Sequence, residues 1–387
     1  MKIGVFGGTF DPVHQGHIEL CKTAIRELSL DLLYVIPNGN PPHKDRETDK
    51  LDRLKMVEIA FFGMPKVTVS DYEIKKNAEC YTVETLSYLK EKHPEDEIFF
   101  LMGMDNINQF FHWREPKTIC RLAKLVFFGR NGVGLTDEIV KRYREELEAE
   151  VFFLPFEMDV SSTEIREEIG QGTYLFHKLP FWVFQYIIRK GLYGTVAVGE
   201  FDSYESDLKN YIEEKRFRHS IGVAVTAYRL AQRYGEDCKT AYFAGLLHDI
   251  AKRMPIDRQL ALCKKTELHP DEVAYPKMLH APAGAGFVKK QYGIKDKKLL
   301  SAIRYHTMGH KDMTLFDKLI YMADYIEPCR DFLGVEALRS ASFSDLDTAI
   351  IKGIDTTILS LVEEHLKISP VLLDVRNSLL EREQKGC

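Results

Sequence analysis

The chain has no basic excess. Over 387 residues, 53 lysines and arginines stand against 58 aspartates and glutamates, a formal charge of −5. A general nucleic-acid binder is usually basic, so that class is disfavoured. No run of about eighteen apolar residues occurs, which argues against a membrane-spanning helix. The seven cysteines form no C-x-x-C pair and keep no regular spacing. That usage suits reduced thiols in a cytosolic protein better than a disulfide framework or a zinc knuckle. The opening residues lack the long apolar core of a secretory signal, because Asp11 interrupts after a short apolar segment. A cytoplasmic protein is expected, with neither nucleic acid nor membrane as partner; homo-oligomerisation is left open.

What is present describes a globular chain, at 45% hydrophobic and 29% charged residues. Its length exceeds one ordinary core, so two domains are expected. The first half reads as strands alternating with helices: strands at 2–6, 31–36, 67–70, 98–102, 125–128 and 151–154, with amphipathic helices between them. That alternation predicts a parallel sheet of Rossmann-like α/β class. From 207 onward strand signals vanish and long helical runs predict an all-α domain. The boundaries expected are 1–194 for the first domain, 195–206 for a polar, glycine-bearing linker, and 207–387 for the second.

Candidate chemistry begins at the end of the first strand. Gly7-Gly8-Thr9-Phe10 leads to His14 and His17 at the start of a helix. Glycines let the backbone approach a bound group, and a helix N-terminus offers free N–H groups to an anion. His14 and His17, one turn apart, can face the same anion. Other loops fall at the same edge of the sheet, where ligands of such folds sit. They bring Lys44 on a proline-stiffened loop, Gly103 and Asp105 past a strand end, and Trp113 with a flat face for a ring. Thr82 is expected to cap the helix that carries Thr85. Ser161 or Ser162, with Thr163, opens a further helix whose Arg166 can reach an anion with its fork of donors.

These strings (GGTFDPVHQGH, PPHK, YTVETL, GMDN with Trp113, DVSSTEIR and YIIRKGLY) resemble bacterial nicotinate-nucleotide adenylyltransferases across the whole first half. Cys80 departs from the serine more usual before the tyrosine. The resemblance implies transfer of AMP from ATP to nicotinate mononucleotide, with Mg²⁺ accompanying ATP. It puts His14, His17, Lys44 and Arg166 on phosphates, Trp113 on the pyridine ring and Thr85 near its carboxylate.

In the second half, His219, His248-Asp249, His280, His306 and Asp324 are scattered over predicted helices, with Lys252 one turn beyond Asp249. Four imidazoles and two carboxylates form a donor set suited to iron, manganese or a similar dication. Their order, with LLHDIAK, LHAPAGA, AIRYHTMG and ADYIEPCR, resembles HD-superfamily phosphohydrolases, narrowed to the bacterial enzymes that split diadenosine tetraphosphate symmetrically. The resemblance implies a dinuclear site: His219, His248, Asp249 and Asp324 for one metal, and Asp249, His280 and His306 for the other. Lys252, with Arg330 a weaker candidate, would neutralise substrate charge. The family's basic residue after Thr-x-Gly is His310 here. His269, His310 and His365 are expected to be structural or at the surface. Open alternatives are a different nucleotide substrate, a regulatory metal domain, or a nucleotide sensor without turnover.

Overall fold

The computed structural model describes residues 1–39, 48–76, 79–129, 135–157, 160–173, 175, 177–264 and 266–385. The chain divides into two compact units, Met1–Glu167 with Leu175–Tyr186, and Glu168–Tyr174 with Ile187–Cys387.

The first unit holds a six-stranded sheet: β1 (Lys2–Gly8), β2 (Leu32–Pro37), β3 (Val67–Val69), β4 (Glu97–Gly103), β5 (Lys124–Gly129) and β6 (Val151–Pro155). All neighbours pair in parallel, in the order β3-β2-β1-β4-β5-β6. Ile3 of β1 faces Leu32 on one side and Ile98 on the other. Buried on both faces, β1 must be apolar almost throughout, and Ile3, Val5 and Phe6 are buried. Strand order reverses between β1 and β4, which opens a crevice at their carboxyl ends. Helix α1 (Gln15–Glu27) starts there and buries Ile18, Leu20, Cys21 and Ala24. Helix α2 (Ser162–Gln171) follows β6.

Local chemistry sets several boundaries. Thr136 caps the helix Asp137–Leu147 by accepting from the Ile139 amide at 3.3 Å. Ser161 caps α2 by accepting from the Glu164 amide at 3.2 Å. Thr82 does not cap: it is the first helical residue of Thr82–Lys92, Tyr81 takes the cap position, and no side chain bonds there.

The second unit is helical, with no strand among its described residues. Its centre is α3 (Glu214–Tyr234), buried at every position from His219 to Ala231. A helix apolar all round lies inside a bundle, and each Val, Ile or Leu so buried contributes roughly 1.5–3 kcal/mol. Packed against it are α4 (Cys238–Leu247) and α7 (Leu315–Ile326); α6 (Lys297–Tyr305) packs on both of these, with α5 (His280–Gln291) against α6. Gly245 brings α4 close to α3, since a Cβ there would lie 2.8 Å from the Ala224 Cα.

The stretch 195–206, expected as a linker, is folded against this unit. It carries a 3₁₀ turn at Gly199–Phe201 and opens the helix Asp202–Leu208. The Tyr228 hydroxyl accepts from the Val196 amide at 2.8 Å and lies 3.1 Å from the Val196 carbonyl, and Val198 is fully buried. Polarity and glycine content concealed these partners, which come from α3, far along the chain. Among the described residues the six cysteines form no disulfide, and no helix is long and apolar enough to cross a membrane.

Candidate functional sites

A cavity of about 620 Å³ sits at the switch point of the sheet, lined by Gly7, Gly8, Thr9, His14, His17, Gly103, Asp105 and Trp113 among others. Three strand ends and the start of α1 meet there, so residues as far apart in sequence as Phe6 and Val160 share one wall. Phe10 does not line the cavity. Its ring is buried, packing edge-on against Phe6 at 5.4 Å and His17 at 4.9 Å, so its side chain supports the wall from behind.

His14 takes the N-cap position of α1 and His17 the third helical position, with ring centroids 3.7 Å apart. The His14 amide donates to His17 Nδ1 at 3.1 Å. In the neutral ring that leaves the proton on Nε2, a donor for a ligand. His14 Nδ1 is buried without a hydrogen bond. Burial lowers the His14 imidazole to about 4. Burial and the neighbouring His14 hold His17 well below its ordinary value. The pair is therefore neutral at pH 7 and gains charge only when an anion compensates for desolvation.

Trp113 also lines a second, smaller cavity of about 100 Å³ with Thr82, Thr85 and Glu73. Its ring lies 5.3 Å from Phe110 and 6.3 Å from Phe100, half-buried. The Thr85 hydroxyl donates to Glu73 Oε1 at 2.8 Å, so in this arrangement its proton is not offered to a carboxylate. Ser161, Ser162, Thr163 and Arg166 line neither cavity. Instead Ser162 and Arg166 bind the loop before α1. The Ser162 hydroxyl donates to the Pro12 carbonyl at 3.0 Å, and Arg166 donates to the Asp11 carbonyl at 2.5 Å and to Thr163 Oγ1 at 3.3 Å. Lys44 lies outside the described residues.

Sequence reading missed Arg53 and Glu73 here. Arg53 is buried and donates to the carbonyls of Thr9, Asn38 and Gly39 at 2.8, 2.9 and 3.0 Å, holding two loops of the crevice together. In sequence it looks like any surface arginine on a charged helix, so no local signal marks it.

The second unit gathers its six expected ligands into one buried cluster. The candidate ligand atoms of His219, His248 and Asp324 lie within 4.8 Å of one another, as do those of His248, Asp249 and His306. Asp249, almost wholly buried, spans the cluster. Its Oδ2 is 3.5 Å from His248 Nε2 and 3.8 Å from His219 Nε2, while Oδ1 is 3.1 Å from His280 Nε2 and 3.6 Å from His306 Nε2.

One rule orients three of the four rings. His248, His280 and His306 each direct Nδ1 at the carbonyl three residues upstream, those of Gly245, Lys277 and Ile303, at 2.6, 2.7 and 2.8 Å. A donor at Nδ1 leaves a lone pair at Nε2. His219 and His248 then face each other Nε2 to Nε2 at 3.3 Å, and His280 and His306 at 3.2 Å. Lone pairs converging at such distances beside two carboxylates call for a cation between them. Asp249 Oδ1, buried with no hydrogen bond, adds to the same demand. The residues therefore fit a divalent metal, as HD domains bind.

Electrostatics follow the burial and the carboxylates. Burial lowers His248, and lowers His280 to about 4. His219 rises: burial opposes its charging, but the hydrogen bonds it donates to Asp324 and Glu327 outweigh that. Burial likewise resists the charge on Asp249 and Asp324, yet the surrounding imidazoles hold both well below the usual carboxylate range. Lys252, lowered by burial, places Nζ 2.9 Å from His280 Nε2 and 3.6 Å from Asp249 Oδ1. Arg330 donates to Asp324 Oδ1 at 2.7 Å. Arg216, Thr307 and Glu327 were not foreseen. Arg216 donates to Asp249 Oδ2 at 2.8 Å, and Thr307 Oγ1 lies 3.1 Å from His306 Nε2. A cavity of about 450 Å³ opens beside His306 and Asp324, walled by Tyr275, Tyr321 and Tyr325 with Lys277, Arg330 and Lys367.

Comparison with known proteins agrees with this division. Residues 5–168 match the cytidylyltransferase-like family and residues 216–329 match the HD domain. A Mycoplasma genitalium protein named "probable nicotinate-nucleotide adenylyltransferase/Ap4A hydrolase" is 30% identical over 331 residues, covering 85% of this chain and 88% of its own. A Clostridium tetani protein named "probable nicotinate-nucleotide adenylyltransferase" is 39% identical over 198 residues, half of this chain and 98% of the relative. A symmetrical bis(5'-nucleosyl)-tetraphosphatase of Halalkalibacterium halodurans is 41% identical over 174 residues, 45% of this chain and 93% of the relative. Two sites of unlike build on one chain, matched over 85% of its length by such a fusion, mean that this chain belongs to the enzyme family that joins a nicotinate-nucleotide adenylyltransferase to an Ap4A hydrolase.

Proposed function

We propose that the first unit transfers AMP from ATP to nicotinate mononucleotide, and that the second hydrolyses diadenosine tetraphosphate symmetrically to two ADP. Residues 1–194 and 207–387 are the proposed functional spans.

In the first reaction an oxygen of the mononucleotide phosphate attacks the α-phosphorus of ATP. A new P–O bond forms, the bond to the β-phosphate bridge breaks, and pyrophosphate leaves. Such transfer needs alignment and neutralised charge more than covalent help. His17, through Nε2–H, and His14 donate to the triphosphate at the N-terminus of α1, and Gly7 and Gly8 admit the chain of phosphates to the backbone. Arg166 and Ser162 position the loop before α1, and Lys44 holds a phosphate. Asp105 holds a ribose hydroxyl and Trp113 stacks on the pyridine ring, with Thr85 near its carboxylate. Mg²⁺ enters with ATP. The observation that carries this reading is the neutral histidine pair at the mouth of a cavity shared with Trp113. The test is pyrophosphate release from ATP on adding nicotinate mononucleotide; a binding-only sensor would release none.

For the second reaction His219, His248, Asp249, His280, His306 and Asp324 would hold a pair of iron or manganese ions, with Asp249 between them. Bound there, paired metals supply an activated water and charge neutralisation for the leaving phosphate. The chain's own part is to bury the ligands and fix each Nε2 inward. Lys252 and Arg330 bring positive charge to the phosphate chain, and the tyrosine-walled cavity takes a nucleoside. Hydrolysis at the middle of the chain adds water across one P–O–P bridge and yields ADP on both sides. The two-sided engagement of Asp249 supports this reading.

A further inference from the structure

Three of the four cluster histidines take their orientation from a backbone carbonyl three residues upstream, at the end or start of a helix. His219 cannot. It lies in the sixth position of the unbroken helix α3, where upstream carbonyls serve the helix itself. Its Nδ1 instead meets Glu327 Oε1 at 3.0 Å, from the residue that ends α7. Glu327 is almost wholly buried and its other oxygen accepts from the Cys329 amide at 2.7 Å, so the carboxylate is held from both ends. The approach depends on Gly222, one turn along α3 from His219. A Cβ at that position would lie 2.4 Å from Glu327 Oε2.

We propose that Glu327 is the positioning residue for His219, and that it makes the half of the centre holding His219 and Asp324 chemically distinct from the half holding His280 and His306. A carboxylate on the distal nitrogen fixes the tautomer and raises the basicity of the ligating one, whereas a neutral carbonyl does the first and less of the second. The inference rests on the paired-metal reading of this cluster. Gly222 is a permissive partner: it is where it is because the carboxylate must reach past it.

The test is titration of the metal-free full-length chain with Co²⁺, following the visible absorption of the bound ion and the metal retained after dialysis. The wild type takes up two equivalents. In Glu327→Ala one equivalent weakens by roughly ten- to a hundredfold, as for other removed carboxylate partners of ligating histidines, while the second keeps its affinity. Glu327→Gln keeps an acceptor without the charge and recovers part of the loss. Gly222→Ala moves the carboxylate without removing it, and shifts the same equivalent and the same absorption band. Circular dichroism identifies a misfolded variant, in which case Glu327→Gln and Gly222→Ala decide. Unchanged affinities and spectra in folded variants, or equal weakening of both equivalents, overturn the role of Glu327. A wild-type chain that takes up no Co²⁺ overturns the paired-metal reading instead.

Discussion

The two units build anion chemistry in opposite ways. In the first, the site is largely backbone: strand ends, two glycines and the start of α1, with the neutral His14 and His17 in its lining. In the second, it is entirely side chain, with six ligand residues carried to one point by five helices and their flanking turns. A backbone site is made by topology, because every parallel strand delivers a loop to the same edge. A side-chain site in a bundle needs each residue placed separately, and each ring needs its own orienting acceptor. The first spreads its contacts over several strand ends and one helix start; the second concentrates its electrostatics on Asp249.

The sharpest way to break that contrast is Asp249→Ala. Removing the group between both halves should lower hydrolysis of diadenosine tetraphosphate by about a thousandfold or more and strip metal from the chain, consistent with loss of a central charge-stabilising group. Adenylyl transfer by the same preparation should be unchanged, and a parallel loss would mean the units are not independent. In the first unit, His17→Ala should cost about a hundredfold in kcat for adenylyl transfer, in the range found for one removed donor to developing charge. Hydrolysis is the internal control.

Trp113→Ala should act on substrate binding. Loss of one stacked ring is worth roughly 1–3 kcal/mol, so the KM for nicotinate mononucleotide should rise by roughly five- to a hundredfold with a smaller change in kcat. A fall in kcat alone would deny the stacking role. Gly245→Ala tests packing without chemistry: the added methyl meets the Ala224 backbone, and overpacking of this kind costs about 1–3 kcal/mol. The helical unit should melt earlier while adenylyl transfer below that temperature is preserved.

The smallest effect concerns protons. His14 titrates at about 4 in the folded chain against 6.5 when unhindered. Between those values the unfolded chain binds the proton and the folded chain does not. Its contribution to stability is therefore whole above pH 6.5 and is lost as pH falls toward 4. An anion in the crevice raises the imidazole again, so ATP binding near pH 6 should take up protons. Calorimetry in buffers of different ionisation enthalpy reads this directly; proton release on binding would contradict it.

The first unit was legible because its information is local. Six strands and a parallel sheet followed from alternation, and GGTFDPVHQGH holds strand end, turn and helix start in one contiguous string. What escaped were supports from elsewhere: Arg53 under the loops, Glu73 holding the Thr85 hydroxyl, and Phe10 turned inward behind His17. Thr82 looked like a cap because capping depends on backbone geometry that residue type only suggests. In the second unit no single histidine identified itself, since an isolated imidazole on an apolar helix reads as core. Only their order against a known family assembled them, and that order carries no record of Arg216, Thr307 or Glu327, which touch the ligands from outside the motif. The folded stretch 195–206 was hidden for the same reason, as Tyr228 lies some thirty positions away in the chain.

The most direct measurement is a product analysis. The full chain, loaded with Fe²⁺ or Mn²⁺ under conditions where its adenylyl transfer is active, is given diadenosine tetraphosphate and the nucleotides are separated. The account predicts ADP as the sole nucleotide product, from attack at the middle of the phosphate chain. ATP with AMP in equal amounts, or no turnover with metal bound, would contradict it.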